Sequence, residues 1–341
     1  MLNLSDFDST KCPDFNPDYA FKACTYYDPV DDRPMECGFC KKVGVYYRCL
    51  ADVQRCIPLS YSSVQDYLTC HHLYYLKAIR GIQTHDHSKS PALKCGVLWD
   101  AVLSKHLDGL NRNTGKPYDI PEIIKQYEID PRDVAKIRGL YRAYKLLEIE
   151  TEPEYTLQSK IFTQINDISI TGYYDRKYLN HFAENKMSGS PDWYLDPYFI
   201  QSQIGTYFLA DPKLEYCIME IVRNPGLKST KNNKDEDPEV YGERVYQDAI
   251  SRPSHYFIGY DSKTHRYGKK YFRSEFDLVE IGDRFMHVYR EIYQAQRADG
   301  WYKNDRVCNN ILPGIQCDML ALCRHNNFNE SVYKIRERIT F

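Results

Sequence analysis

The 341-residue sequence contains no run approaching the ~20 apolar residues that would span a bilayer. Its opening, MLNLSDFDST, lacks the basic region and apolar stretch of a secretion signal, so a cytoplasmic protein without a membrane partner is expected. An excess of charge of one sign is missing too: 45 Lys and Arg stand against 47 Asp and Glu, a net charge of -2. That balance argues against a whole-surface nucleic-acid binder but leaves room for a local basic groove. No internal repeat is found. Cysteine, in contrast, is abundant at 12, and tyrosine reaches 31. Cysteines do not persist as disulfides in a reducing compartment, so those at ligand-like spacings point to metal sites.

The length suits two domains at most, or one large α/β unit with an appendage. Six cysteines fall in residues 1–57, a stretch with prolines, aspartates and little helical periodicity. This segment reads as a metal-stapled appendage. Its tight pair Cys37-x2-Cys40 is a plausible zinc knuckle with Cys24 and Cys49, while Cys12 and Cys56 remain alternatives.

From residue 58 onward the pattern is helical. Val64, Tyr67, Leu68, His71 and Tyr75 recur at helical spacing up to Gly81; Trp99, Val102, Leu103 and His106 do so within 93–110, and Val134, Ile137, Tyr141 and Tyr144 within 133–147. Then YTLQSKIFT, DISITGYYDRKY and NHFAENKM read as consecutive antiparallel strands. A helix over 197–209, a strand EYCIMEIVR and a solvated charge run at 228–239 follow. After these come a helix from about Pro238, a strand HYFIGY and a long helix ending near Gly300.

In the 175–186 hairpin, Asp175 sits on one strand and Glu184 and Lys186 share a face of the next. Two carboxylates and an ammonium can converge there. Mg²⁺ or Mn²⁺ takes oxygen ligands from such a pair, and the ion activates water for phosphodiester hydrolysis. Asp100 leans toward the apolar side of its helix, where an unpaired carboxylate is costly and a metal would offset that cost. Gln203 and Tyr207 lie one turn apart on a later helix.

This order, Gly-x-x-Asp, Glu-x-Lys and Gln-x3-Tyr after a helical G-x-L-W-D segment, resembles the RecB-like branch of the PD-(D/E)XK nuclease superfamily over residues 58 to about 325. The resemblance implies an α/β fold with a restriction-endonuclease-like core, a mixed sheet flanked by helices, behind a helical N-terminal half. It implies Asp175 and Glu184 as metal ligands, Lys186 as the catalytic lysine, and Gln203 and Tyr207 as the branch's QxxxY motif. Asp100 stands where the branch usually has histidine. The activity implied is a Mg²⁺- or Mn²⁺-dependent deoxyribonuclease, an exonuclease on single-stranded DNA ends that works with recombination or replication proteins. A catalytically inactive DNA-binding subunit with the same fold is the alternative.

Cys308, Cys317 and Cys323 form C-x8-C-x5-C, which is not the spacing of a zinc knuckle. Cys70 is the candidate fourth thiolate for a [4Fe-4S] cluster, as in AddB-like iron-sulfur nucleases, and would make a C-terminal clasp. The cysteine-rich leader before such a domain, 1–57 ahead of 58–341, also resembles bacteriophage-encoded nucleases. Cys95 and Cys217 read as core thiols. Tyr74-Tyr75, Tyr173-Tyr174 and Tyr194 beside Trp193 are candidates for base stacking; Lys77, Arg80, Arg176, Lys177 and Arg223 are candidates for phosphate contact.

Overall fold

The structure, a computed structural model, describes residues 59–335 apart from 112–114, 153, 166–167, 228–235, 299, 309–315 and 326–327, together with two dipeptide strands, Tyr27–Asp28 and Arg33–Pro34. Cys24, Cys37, Cys40 and Cys49, and with them the zinc assignment, lie outside the described residues, as does most of the 228–239 charge run.

Helix starts follow local chemistry. Ser60 caps α1 (Tyr61–Thr69) through a reciprocal pair of bonds with Ser63. Ser90, Asp119, Asp130, Asp196 and Asp237 each place a side-chain acceptor over the first turn of a helix that has proline at its first or second position. These helices are α3 (Pro91–His106), α4 (Ile120–Tyr127), α5 (Pro131–Leu146), α6 (Pro197–Ala210) and α7 (Pro238–Ser251). The helix expected from Ser60 to Gly81 is broken. Cys70 is extended (φ -162), α2 (His71–Tyr74) restarts beyond it, and a π turn occupies Tyr75–Ile79. Tertiary bonds account for the break, because His72 N donates to Tyr302 O and Asn304 N to the Cys70 sulfur.

The main sheet holds β2 (Thr156–Ile165), β3 (Ile168–Lys177), β4 (His181–Ser188), β5 (Tyr216–Arg223) and β6 (Lys269–Phe272), in that spatial order. The pairs are antiparallel except β4 and β5, which run parallel because α6 carries the chain back across the sheet. The expected strand HYFIGY is instead the short helix α8 (Pro253–Tyr256) and a single bridge from Phe257 to Val222. Pro253 starts that helix, and its neighbour β6 takes the edge position.

Alternation along β5 divides the interior. Cys217, Met219 and Ile221 meet α1, α6 and α9 (Leu278–Ala298) on one face, while Val222 meets α3, α5 and α7 on the other. Among the described residues no helix is long and apolar enough to cross a membrane. A third cluster joins the two ends of the domain. Leu73, Leu76 and Ile82 pack on Met319, Leu322 and Tyr333, and β1 (Ile82–Thr84) pairs antiparallel with β7 (Tyr333–Ile335) beside α10 (Leu320–His325).

Helices α5 and α7 cross backbone to backbone at Gly139 and Gly242. A methyl group on Gly139 would lie 2.3 Å from Gly242 O, and one on Gly242 would lie 2.7 Å from Ala135 O. Gly139→Ala should therefore separate two buried helices and lower stability by about 1–3 kcal/mol in chemical denaturation, with m unchanged. Gly189→Ala, where nothing lies within 4 Å, should cost far less.

His181 opens β4, 4% exposed, stacked between Tyr178 and Tyr216 at 4.1 and 4.4 Å. Burial depresses its pKa, and the Lys270, Arg176 and Arg266 charges add to this against the pull of Glu152. Folding thus favours the neutral ring. Stability should be full above the ordinary histidine range and fall as pH drops through about 6.5, where the unfolded chain takes up the proton. His181→Phe should flatten the melting-temperature profile between pH 7 and 5.5; an unchanged slope would assign it to other groups.

Candidate active site

The ladder between β3 and β4 ends after two pairs, Lys177 with Phe182 and Arg176 with Ala183. Asp175 and Glu184 occupy the next register position, where the strands part. β4 stays paired with β5 along its whole length, so it is β3 that leaves. On the far side of Asp175, Gln158 of β2 adopts a left-handed backbone (φ 49), a conformation that costs about 1 kcal/mol or more for a non-glycine residue. At this fork the Asp175 carboxylate takes over the ladder by accepting the Asn185 N–H at 2.8 Å.

Glu184 is the centre of the site and is 3% exposed. Its Oε1 accepts from Lys186 Nζ at 2.6 Å and from Gln203 Nε2 at 2.6 Å, and Gln203 also donates to Tyr207 Oη at 3.2 Å. Its Oε2 is buried with no hydrogen-bond partner among the described residues. Burial, and after it the Asp175 charge, pushes the Glu184 carboxyl up to about 7 against the opposing pull of Lys186 and Gln203. Glu184 and Asp175 in turn hold the Lys186 ammonium firmly charged, despite its burial. Burial raises the Tyr207 phenol well above its ordinary value, so it stays a neutral hydroxyl.

The hairpin and α6 thus bring Asp175, Glu184, Lys186, Gln203 and Tyr207 to one place. Asp100 is half-buried on α3, which packs against β4. As the side chains stand, no group of three or more His, Cys, Asp or Glu able to hold a metal ion forms among the described residues. The buried, unpartnered Glu184 oxygen beside a second carboxylate is nevertheless a donor set that fits a hard cation.

No family model and no curated protein matches this chain. A solved structure from Eubacterium rectale that bears an exonuclease name is similar in shape, with a TM-score of 0.41 and 12% identity over 83% of this chain and 91% of that one.

Several expected contacts fall elsewhere. Arg176 cannot reach a phosphate: it is 0% exposed and its Nη2 is paired with Glu220 of β5. Lys77 is held by Asp66 and Asp318, Lys177 by Asp211, and Arg223 donates to His255 O. Tyr74 and Tyr174 are core residues. What the sequence reading missed is the support beneath the fork. Arg176, Asn185 and Glu220 share the sheet face opposite Lys186, with Arg176 Nη2 donating to Asn185 Oδ1 at 3.3 Å. The one signal for it was an Arg beside the key Asp and a Glu inside an otherwise apolar strand.

Cys70, Cys308, Cys317 and Cys323 lie in the same neighbourhood, where the segments around residues 70 and 317–323 pack together, but as the side chains stand they form no metal-holding group among the described residues. Asn304 links two of them, donating N–H to the Cys70 sulfur at 3.3 Å and accepting from the Cys308 sulfur at 3.4 Å. Cys317 N donates to Cys308 O at 2.9 Å. The Cys323 thiol is within electrostatic reach of Cys70 and Cys308. Burial raises Cys317 to about 11, and all four are free thiols.

Proposed function

We propose that this protein is a divalent-metal-dependent deoxyribonuclease of the PD-(D/E)XK type, acting as an exonuclease on single-stranded DNA ends. The observation that carries the reading is the fork, with Asp175 and Glu184 in register, Lys186 and Gln203 on one Glu184 oxygen, and the other oxygen buried without a partner. Asp175 and Glu184 would hold Mg²⁺ or Mn²⁺, with Asp100 as a third ligand. Bound there, the ion would acidify water and offset charge on the phosphate. Lys186 holds its proton and presents an ammonium to the incoming water and the phosphate oxygens. Gln203 fixes the Glu184 rotamer, and Tyr207 fixes Gln203.

The four neighbouring cysteines are a soft donor set that would suit a structural [4Fe-4S] cluster once drawn together, and Cys70, Cys317 and Cys323 pack against the hydrophobic cluster that joins β1, α2 and α10. Zinc in the appendage, a cytoplasmic location and partners in recombination or replication belong to the same proposal.

The test is cleavage of end-labelled single-stranded and duplex DNA by anaerobically purified protein with Mn²⁺ or Mg²⁺. Lys186-dependent degradation from the ends is expected. Intact DNA with a loaded cluster would overturn the nuclease and assign the protein as a DNA-binding subunit. Iron and sulfide analysis of Cys317→Ser against parent protein tests the cluster separately.

A further inference from the structure

We propose that Trp193, Tyr198 and Phe199 form a stacking platform for unpaired bases at the mouth of the site. This rests on the nuclease reading and names the residues that would hold the unpaired bases of its single-stranded substrate. The three aromatic side chains are 51%, 71% and 49% exposed. They touch one another: ring centroids are 4.8 Å apart for Trp193 and Phe199 and 5.5 Å for Tyr198 and Phe199. Solvent-facing aromatic side chains gathered in seven residues are costly to maintain without a ligand for their faces.

Position decides which ligand. Phe199, Gln203 and Tyr207 are spaced by four, so they line one stripe of α6, and Phe199 lies about 6 Å along the axis outward from Gln203. The segment follows the end of β4 (His181–Ser188), the strand that carries Lys186, and its turn at Pro191–Tyr194 packs against α6 and β5. A strand whose phosphate reached Lys186 would lay its next bases over these rings.

The platform is also held firmly. Tyr271 Oη donates to Tyr194 O at 2.8 Å, Lys269 Nζ to Leu195 O at 2.7 Å, and Tyr198 N to Asp196 Oδ1 at 2.9 Å. Tyr194 and Leu195 pack into the core beneath it. Asp192 and Asp196 flank the rings in sequence, so binding there would draw on π faces rather than on phosphate contact. A duplex hides those faces and presents phosphates outward; a single strand offers them.

The experiment uses the full chain in EDTA, where nothing is cut, and reads anisotropy of a labelled oligodeoxythymidylate and of a hairpin duplex. Trp193→Ala and Phe199→Ala should each weaken single-strand binding about tenfold or more, change duplex binding less than twofold, and leave the melting temperature unchanged. Trp193→Phe should retain most of the affinity. Equal losses on both DNAs, or none on the single strand, would overturn the platform, even if Lys186-dependent cleavage is intact. A parent that binds single strands through these residues yet never cuts would sustain the platform and reject the nuclease.

Discussion

Asp175→Asn should fold at least as stably as the parent in the absence of metal, yet lose about a thousandfold or more of its cleavage rate. The asparagine oxygen can still accept the Asn185 N–H, so the bond that closes the fork survives. What disappears is the negative charge, which together with burial drives the Glu184 carboxyl up. Relief of that repulsion favours the free protein, whereas the proposed hard cation would lose a ligand of full charge. Melting curves and end-labelled DNA assays separate the two effects. A cleavage rate within tenfold of the parent would remove Asp175 from the chemistry, and a loss of activity that tracks a loss of stability would make it a structural residue.

Glu220→Leu should be among the most destabilising single changes, by about 3–5 kcal/mol, because it strands a guanidinium with no exposed surface. Arg176 Nε and Nη1 already lack partners among the described residues, so the Glu220 carboxylate and the Asn185 amide oxygen carry much of its compensation. The double variant Arg176→Met with Glu220→Leu should recover most of the lost stability, since a matched apolar pair has no charge to bury. Activity should not recover with it, because Asn185 would lose the bond that orients it beneath Asp175. Urea unfolding of the two singles and the double, combined with cleavage assays, checks both halves. A double variant no more stable than Glu220→Leu would show that the pair does more than neutralise itself.

The helix starts were legible because each is a local event. An Asp or Ser oxygen finds the first-turn N–H groups whatever surrounds it, and a proline follows. The three antiparallel strands were legible from their β-branched and aromatic content and their turns. HYFIGY misled for the same reason, since its side chains suit a strand while Pro253 and the neighbouring edge strand β6 decide otherwise. The kink at Cys70 was hidden because its cause, the segment 302–304, lies at the other end of the domain. Arg176 looked like a phosphate ligand because a sequence shows charge but not that the carboxylate of Glu220, on another strand, lies buried against it.

The sequence by itself determined the identity of the chemical groups and their spacing: a carboxylate nine positions before Glu184, a lysine two after it, an amide and a phenol one turn apart, and four thiols at the domain's two ends. Period-two and period-3.6 geometry then place neighbours on common faces without further help. Tertiary structure alone decided what those groups experience. Parting of β3 from β4 at one register position, the approach of α6 that puts Gln203 on Glu184, and the burial that leaves one Glu184 oxygen bare depend on contacts between distant segments. Desolvation and unmatched hydrogen bonds are properties of an enclosed volume, and a volume is enclosed only when the helices on both faces have closed over the sheet.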